Sequence, residues 1–295
     1  MELVDRYDAL VDGVEELYEQ GRYGEAVALM DSESGGLEAW QAELAHLKAC
    51  VLGAGGDTDG ALRVLRDASA EGAWWVPDIL LDDDDLAGLR GRPEFDEMVA
   101  VSGARASGDP VPALVDVPEQ LAGVVFALHG AGQTAEHARR DWAGVLERGY
   151  ALVCVTSSHR MSPRYRTWPD REQAAADIAA ALDRWQAMTS LQLPREGLPL
   201  VAAGFSAGGR AALDWALTGR PVPVDGVLAM APALRELPTD RPSLSPATVW
   251  IGTDDGLLEV VDAAADQLDG FTIERVPGLG HAFPPDFAQR LAALL

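Results

Sequence analysis

Between Leu198 and Leu217 the chain reads LPLVAAGFSAGGRAALDWAL. Ser206 stands two residues after Gly204 and two before Gly208, where an apolar run meets a helix-like segment. A serine that must hold its hydroxyl clear of its own backbone needs a sharp strand-to-helix turn. Such a turn crowds the main chain, and glycine on either side relieves the crowding. The amino end of the following helix favours anionic charge at the same place. A serine hydroxyl is a weak nucleophile until a base accepts its proton, so the pattern calls for a histidine. Of the five histidines, His46 lies in the first third and His137 in a polar helical stretch. His129 and His159 follow apolar runs, and His281 follows the last run, in Gly278-Leu279-Gly280-His281-Ala282-Phe283. A loop there can swing over the end of a sheet, so His281 is the expected base. A carboxylate that holds the imidazole is expected between the two, and Gly252-Thr253-Asp254-Asp255-Gly256 offers a pair. Asp255 is favoured by its G-x-x-D spacing from Gly252, with Asp254 as the alternative.

Two further stretches bear on the same chemistry. In Phe126-Ala127-Leu128-His129-Gly130-Ala131-Gly132-Gln133 an apolar run again ends in a glycine-bearing turn. Such a loop can aim a backbone N–H at a developing oxyanion, with the Ala207 N–H as partner donor. Ala131 is the expected first donor and Gly132 the alternative, while His129 is expected to hold the loop. Arg160, Arg164, Arg166 and Arg171 form a basic cluster in an otherwise acidic chain. Arg160, Arg164 and Arg166 are candidate contacts to an anionic part of a substrate, with Trp168 as a wall and Phe205 and Gly132 beside it. The competing reading is that these arginines pair with acidic residues of the first unit.

The elements that must position these residues differ along the chain. The 295 residues carry a formal net charge of -24 and are 48% hydrophobic, so the chain is globular and a poor partner for nucleic acid or an anionic membrane. The first 104 residues hold 24 acidic and 7 basic side chains, a net of -17, against -7 for the rest. That break predicts two units, and the acidic one is a candidate docking surface for a basic protein partner. Its apolar residues recur at helical spacing over Leu3–Leu17, Tyr23–Met30, Leu37–Leu52 and Ala61–Ala70. The aspartates of Leu81–Leu86 read as helix caps and solvated surface. RASGDPVP, residues 105–112, reads as a linker. Beyond it, Leu121–Leu128, Tyr150–Val155, Leu198–Ala203, Val224–Met230, Ala247–Ile251 and Phe271–Val276 are short apolar runs separated by helical stretches. Buried strands alternating with helices predict an α/β fold: a mostly parallel sheet with helices on both faces and its site at the carboxyl ends of the strands. Cys50 and Cys154 read as buried, reduced thiols, and no cysteine or histidine cluster shows metal-ligand spacing, so no metal is expected. The N-terminus lacks a signal-peptide pattern and no run is long enough to span a membrane, which predicts a cytoplasmic protein.

LHGAG, GFSAGG, IGTDD and GLGHAFPPDF together resemble the α/β-hydrolase superfamily, in its compact carboxylesterase, phospholipase and dienelactone-hydrolase-like members. The resemblance implies Ser206 as nucleophile, Asp255 as acid, His281 as base, Ala131 and Ala207 as the oxyanion hole, and no cofactor. The stretch before Leu121 is short for the family's opening strands, so the sheet is expected to be reduced there. EQGRYGEAVALM and GAGGDTDGALRVLRDA resemble tetratricopeptide helix pairs, with Ala26 and Ala61 where the helices touch. The expected layout is a tetratricopeptide-like helical domain over 1–104, a linker over 105–112 and an α/β-hydrolase domain over 113–295. The expected activity is cleavage of a carboxylic ester or related acyl bond of a small molecule through an acyl-enzyme. A peptidase, an acyltransferase, or an interaction module carrying an inactive hydrolase domain are the alternatives.

Overall fold

The computed structural model describes residues 3–106, 111–240 and 242–295. They fall into two compact units: Met1–Asp109 with Arg160–Tyr165, and Pro110–His159 with Arg166–Leu295. The expectation of one uninterrupted unit over 113–295 is corrected by the six residues of Arg160–Tyr165, which cluster with the helices. Of the expected linker, residues 107–110 lie outside the described residues, while Arg105 still belongs to a helix.

The first unit holds α1 (Leu3–Glu19), α2 (Tyr23–Glu33), α3 (Gln41–Ala54), α4 (Thr58–Ala70), α5 (Pro77–Leu81) and α6 (Pro93–Arg105), with 3₁₀ turns at Glu38–Trp40 and Asp84–Leu89. α1 packs on α2 and α3 on α4. Ala26 and Ala61 are fully buried. α3 buries Leu44 and Val51 with Tyr7, Leu10, Val14 and Met30, and its other side, Ala45, Ala49 and Cys50, with Leu62, Leu65, Trp75 and Phe95. A helix covered on two sides has no single apolar stripe, so its periodicity reports only half of its contacts. Asp57 caps α4 by accepting from the Gly60 N–H at 2.8 Å, and Asp83 accepts from the Asp85 N–H at 2.9 Å. Buried Glu43 accepts through Oε1 from the Ser162 hydroxyl and from the Arg164 N–H at 2.7 Å, while among the described residues its Oε2 has no hydrogen-bond partner.

In the second unit, seven strands form one sheet: β1 (Leu114–Asp116), β2 (Gly123–Leu128), β3 (Tyr150–Val155), β4 (Leu200–Phe205), β5 (Gly226–Met230), β6 (Ala247–Gly252) and β7 (Thr272–Val276). Their order is β1-β3-β2-β4-β5-β6-β7, parallel except for β1 against β3. The sheet is reduced at its start to that one three-residue antiparallel strand. β2, β3, β4 and β5 are buried at every position, as parallel strands covered on both faces must be. β7, at the edge, carries Glu274 and Arg275 and is half exposed, a pattern that discourages further strand pairing. The connecting helices are α7 (Ala135–Asp141), α8 (Arg171–Thr189), α9 (Ala207–Thr218), α10 (Leu258–Ala263) and α11 (Phe287–Leu294). Among the described residues no helix is long and apolar enough to cross a membrane.

Candidate active site

Parallel strands deliver the residues that follow them to one edge of the sheet. Ser206 follows β4 and opens α9, with φ 54° and ψ -119°, in the region that favours glycine. Three backbone bonds hold it there: its N–H donates to Met230 O at 2.9 Å, and its carbonyl accepts from Arg210 N and Ala233 N, each at 3.0 Å. The flanking glycines are required sterically. A Cβ on Gly204 would collide with the Gly208 backbone, and one on Gly208 with the Leu128 and His129 carbonyls. The turn therefore packs directly on the loop after β2.

Asp255 follows β6. Its side chain is 1% exposed, and its two oxygens are both engaged: Oδ1 accepts from the Leu257 N–H at 2.8 Å, and Oδ2 lies 2.9 Å from His281 Nδ1. A carboxylate only accepts, so Nδ1 carries the proton and Nε2 is left as an acceptor. Asp254 points elsewhere: it is exposed, and its Oδ1 accepts from the Thr253 hydroxyl at 3.1 Å. His281, 40% exposed, packs on Phe205, the residue before Ser206 in the chain, at 4.8 Å between ring centroids. Phe283 backs Phe205 at 4.9 Å. Among the described residues the Ser206 hydroxyl makes no hydrogen bond. Contacts of this kind commonly tighten only when substrate binds.

The loop after β2 is braced from beneath. His129 is fully buried; its Nδ1–H donates to Gly130 O at 2.7 Å, and its carbonyl accepts from Trp168 Nε1 at 2.7 Å. The Trp168 carbonyl in turn accepts from Arg210, one turn into α9. Gln133 Oε1 accepts from the Gly130 N–H at 2.9 Å. Among the described residues the Ala131 and Ala207 N–H groups make no hydrogen bond. Gly132 is corrected as a donor, because its N–H is taken by Arg166 O at 2.9 Å. Gln133, Arg210 and Phe283 carry no motif of their own, and sequence reading missed them.

The proposed substrate contacts are also corrected. Trp168 is 1% exposed and serves as a buried brace, not a pocket wall. Arg166 is buried and donates to Ser157 O at 2.5 Å. Arg160 lies over the Trp74 ring at 5.0 Å and Arg164 over the Trp40 ring at 4.7 Å, so these two guanidinium groups are spent on aromatic faces within the helical unit. Phe205 is nearly buried and packs against the His281 imidazole.

His129 sets a pH dependence of stability. Burial lowers its pKa from the ordinary 6.5 to about 4. The unfolded chain takes up this proton before the folded one does. The stability is complete above pH 6.5 and is lost as pH falls toward 4, by about 3 kcal/mol. Urea midpoints at pH 7 and pH 4.5 should show that fall, and a folded His129→Asn variant should show less of it. His46, whose pKa burial also lowers, acts in the same direction and leaves a residual slope. Equal slopes in wild type and variant would contradict the assignment.

Residues 6–108 match a family described as A/B hydrolase-like, N-terminal domain. A search of curated proteins finds no match. Among solved structures, esterase PE8 is 19% identical, with 62% of this chain and 99% of that one covered and a TM-score of 0.50. An uncharacterized protein from Bacillus cereus ATCC 10987 is 22% identical over 97% of each chain, with a TM-score of 0.49. Acyl-protein thioesterase 2 from Zea mays is 18% identical over 61% of this chain and 97% of its own, with a TM-score of 0.46. At such identities the likeness speaks for the fold. The mostly parallel seven-stranded sheet of the second unit therefore has the fold of the esterase it resembles, and the first unit matches a family described as the N-terminal domain of A/B hydrolase-like proteins.

Proposed function

We propose that the second unit is a serine esterase that cleaves a carboxylic ester or related acyl bond of a small molecule. The observation that carries this reading is the 2.9 Å contact of Asp255 with His281 Nδ1, made at the sheet edge where Ser206 sits in its strained turn. In this mechanism His281 Nε2 takes the Ser206 proton as Oγ attacks the acyl carbon. The tetrahedral oxyanion is stabilised by the Ala131 and Ala207 N–H groups and the amino end of α9. The leaving alkoxide takes the proton from His281. Water then enters, His281 deprotonates it, and the acid departs from Ser206. Asp255 keeps the tautomer and stabilises the imidazolium without taking a proton. The esterase that shares this fold supports the acyl chemistry.

The test is to treat the full chain with a fluorophosphonate probe and assay a panel of p-nitrophenyl esters, a thioester and a peptide amide. Labelling of one serine together with ester turnover is expected. Peptide turnover above ester turnover would move the reading to a peptidase, and product formed only with an added alcohol would move it to an acyltransferase. A folded protein that is neither labelled nor active would leave the fold as the scaffold of an interaction module.

A further inference from the structure

α3 places His46 and Cys50 one turn apart on the same face, since residues four apart on a helix are neighbours. A third group reaches them from the turn that opens the 3₁₀ segment Asp84–Leu89. Asp83 uses Oδ1 to cap that segment, at 2.9 Å from the Asp85 N–H, and turns Oδ2 toward α3. The three ligand-type atoms form a closed triangle. Cys50 Sγ lies 3.6 Å from His46 Nε2 and 3.2 Å from Asp83 Oδ2, and His46 Nε2 lies 3.5 Å from Asp83 Oδ2.

We propose that His46, Cys50 and Asp83 form a binding site for a divalent transition-metal ion of the zinc class, in the helical unit and separate from the hydrolase chemistry.

The geometry is that of one face of a tetrahedron. Zinc bonds of about 2.3 Å to sulfur and about 2.0–2.1 Å to nitrogen and oxygen, at tetrahedral angles, set ligand–ligand edges of about 3.3–3.6 Å. The three observed separations are close to those edges, so an ion can enter with little movement of the side chains. One imidazole, one thiolate and one carboxylate suit a borderline ion and not calcium or magnesium, which take oxygen alone.

The surroundings hold the three groups in place. Gly53, also on α3, lets the Asp85 backbone approach so closely that a Cβ there would collide with its carbonyl. Tyr18 donates to both carboxylate oxygens of Asp85 at 2.9 Å, which pins the same turn from α1. A metal-binding imidazole keeps its proton on Nδ1 and offers Nε2, which here is the nitrogen turned to Cys50 and Asp83. The side chains of His46 and Asp83 are 16% and 25% exposed, so one side is open for the ion to enter and for water to complete the shell. Burial and Asp83 push the Cys50 thiol pKa up, which makes it a poor nucleophile. An arriving cation displaces the thiol proton to solvent and bonds the thiolate.

Sequence reading expected no metal because it found no cysteine or cysteine/histidine cluster at metal-ligand spacing. The signal present was His46 and Cys50 at helical spacing, with the aspartate run of Asp82–Asp85 brought to them by the fold.

The test is to strip the full-length protein with a chelator and titrate it with Co²⁺. One equivalent should produce a thiolate-to-cobalt charge-transfer band and tetrahedral d–d absorption, and Zn²⁺ should displace both. Cys50→Ser should lose the charge-transfer band while Cys154→Ser keeps it, with circular dichroism confirming that both are folded. Asp83→Asn should weaken binding by about tenfold or more. In wild type Zn²⁺ should raise the melting temperature, and in Cys50→Ser it should not. A folded wild type without the charge-transfer band, or a band that survives Cys50→Ser, would overturn the proposal.

Discussion

Ser206→Ala is expected to abolish fluorophosphonate labelling and to lower kcat on any ester the wild type turns over by about 10⁴-fold or more. The loss should appear in kcat with KM little changed, because Oγ forms its bond only in the reaction. The variant is also a clean one. Among the described residues the hydroxyl makes no hydrogen bond that alanine would break. The backbone bonds to Met230, Arg210 and Ala233 are made by main-chain atoms that alanine keeps. Alanine meets the same positive φ as serine, so no new strain enters. Melting temperatures of the two proteins should therefore agree closely. Retained labelling would place the nucleophile elsewhere, and a large drop in stability would show that the hydroxyl has a structural role.

The second large effect separates two neighbouring carboxylates. Asp255→Asn should lower kcat by about 10⁴-fold, while Asp254→Asn should stay within about twofold of wild type. The asymmetry comes from how Asp255 is held. The Leu257 N–H at 2.8 Å must face an oxygen, so the new amide turns its NH₂ toward His281. An NH₂ there donates to Nδ1, which moves the ring proton to Nε2 and removes the acceptor that the serine proton needs. Asp254 is exposed and bonds only Thr253 through its side chain, so its amide changes little at the site. Measured kcat/KM for both variants decides the matter. A larger loss in Asp254→Asn would reverse the assignment.

Much of the second unit was legible because its signals are local. Tyr150–Val155 is a strand end to end as its apolar run predicted, and Ala247–Ile251 grew by one residue. Buried parallel strands must be apolar at every position, and that pattern needs no partner to be read. β1 was not legible. Leu114–Asp116 is three residues long and half buried, and it is a strand only because it pairs with β3, Leu114 against Cys154. For the arginine cluster the sequence left two readings open. Charge at a sheet end suggested a substrate anion, but the aromatic rings that receive Arg160 and Arg164, those of Trp74 and Trp40, lie far away in the chain.

The glycine-flanked serine, the two aspartates after β6 and the histidine in the last loop were readable from residue type, spacing and order, because each sits beside a strand with its own pattern. Folding put Asp255 and not Asp254 against His281, tied the Gly132 N–H to Arg166 O, made Trp168 a brace, and brought Asp83 to His46 and Cys50. Each of these outcomes depends on where a side chain or amide points. Direction is set by packing against residues distant in the chain, and local periodicity carries no record of it.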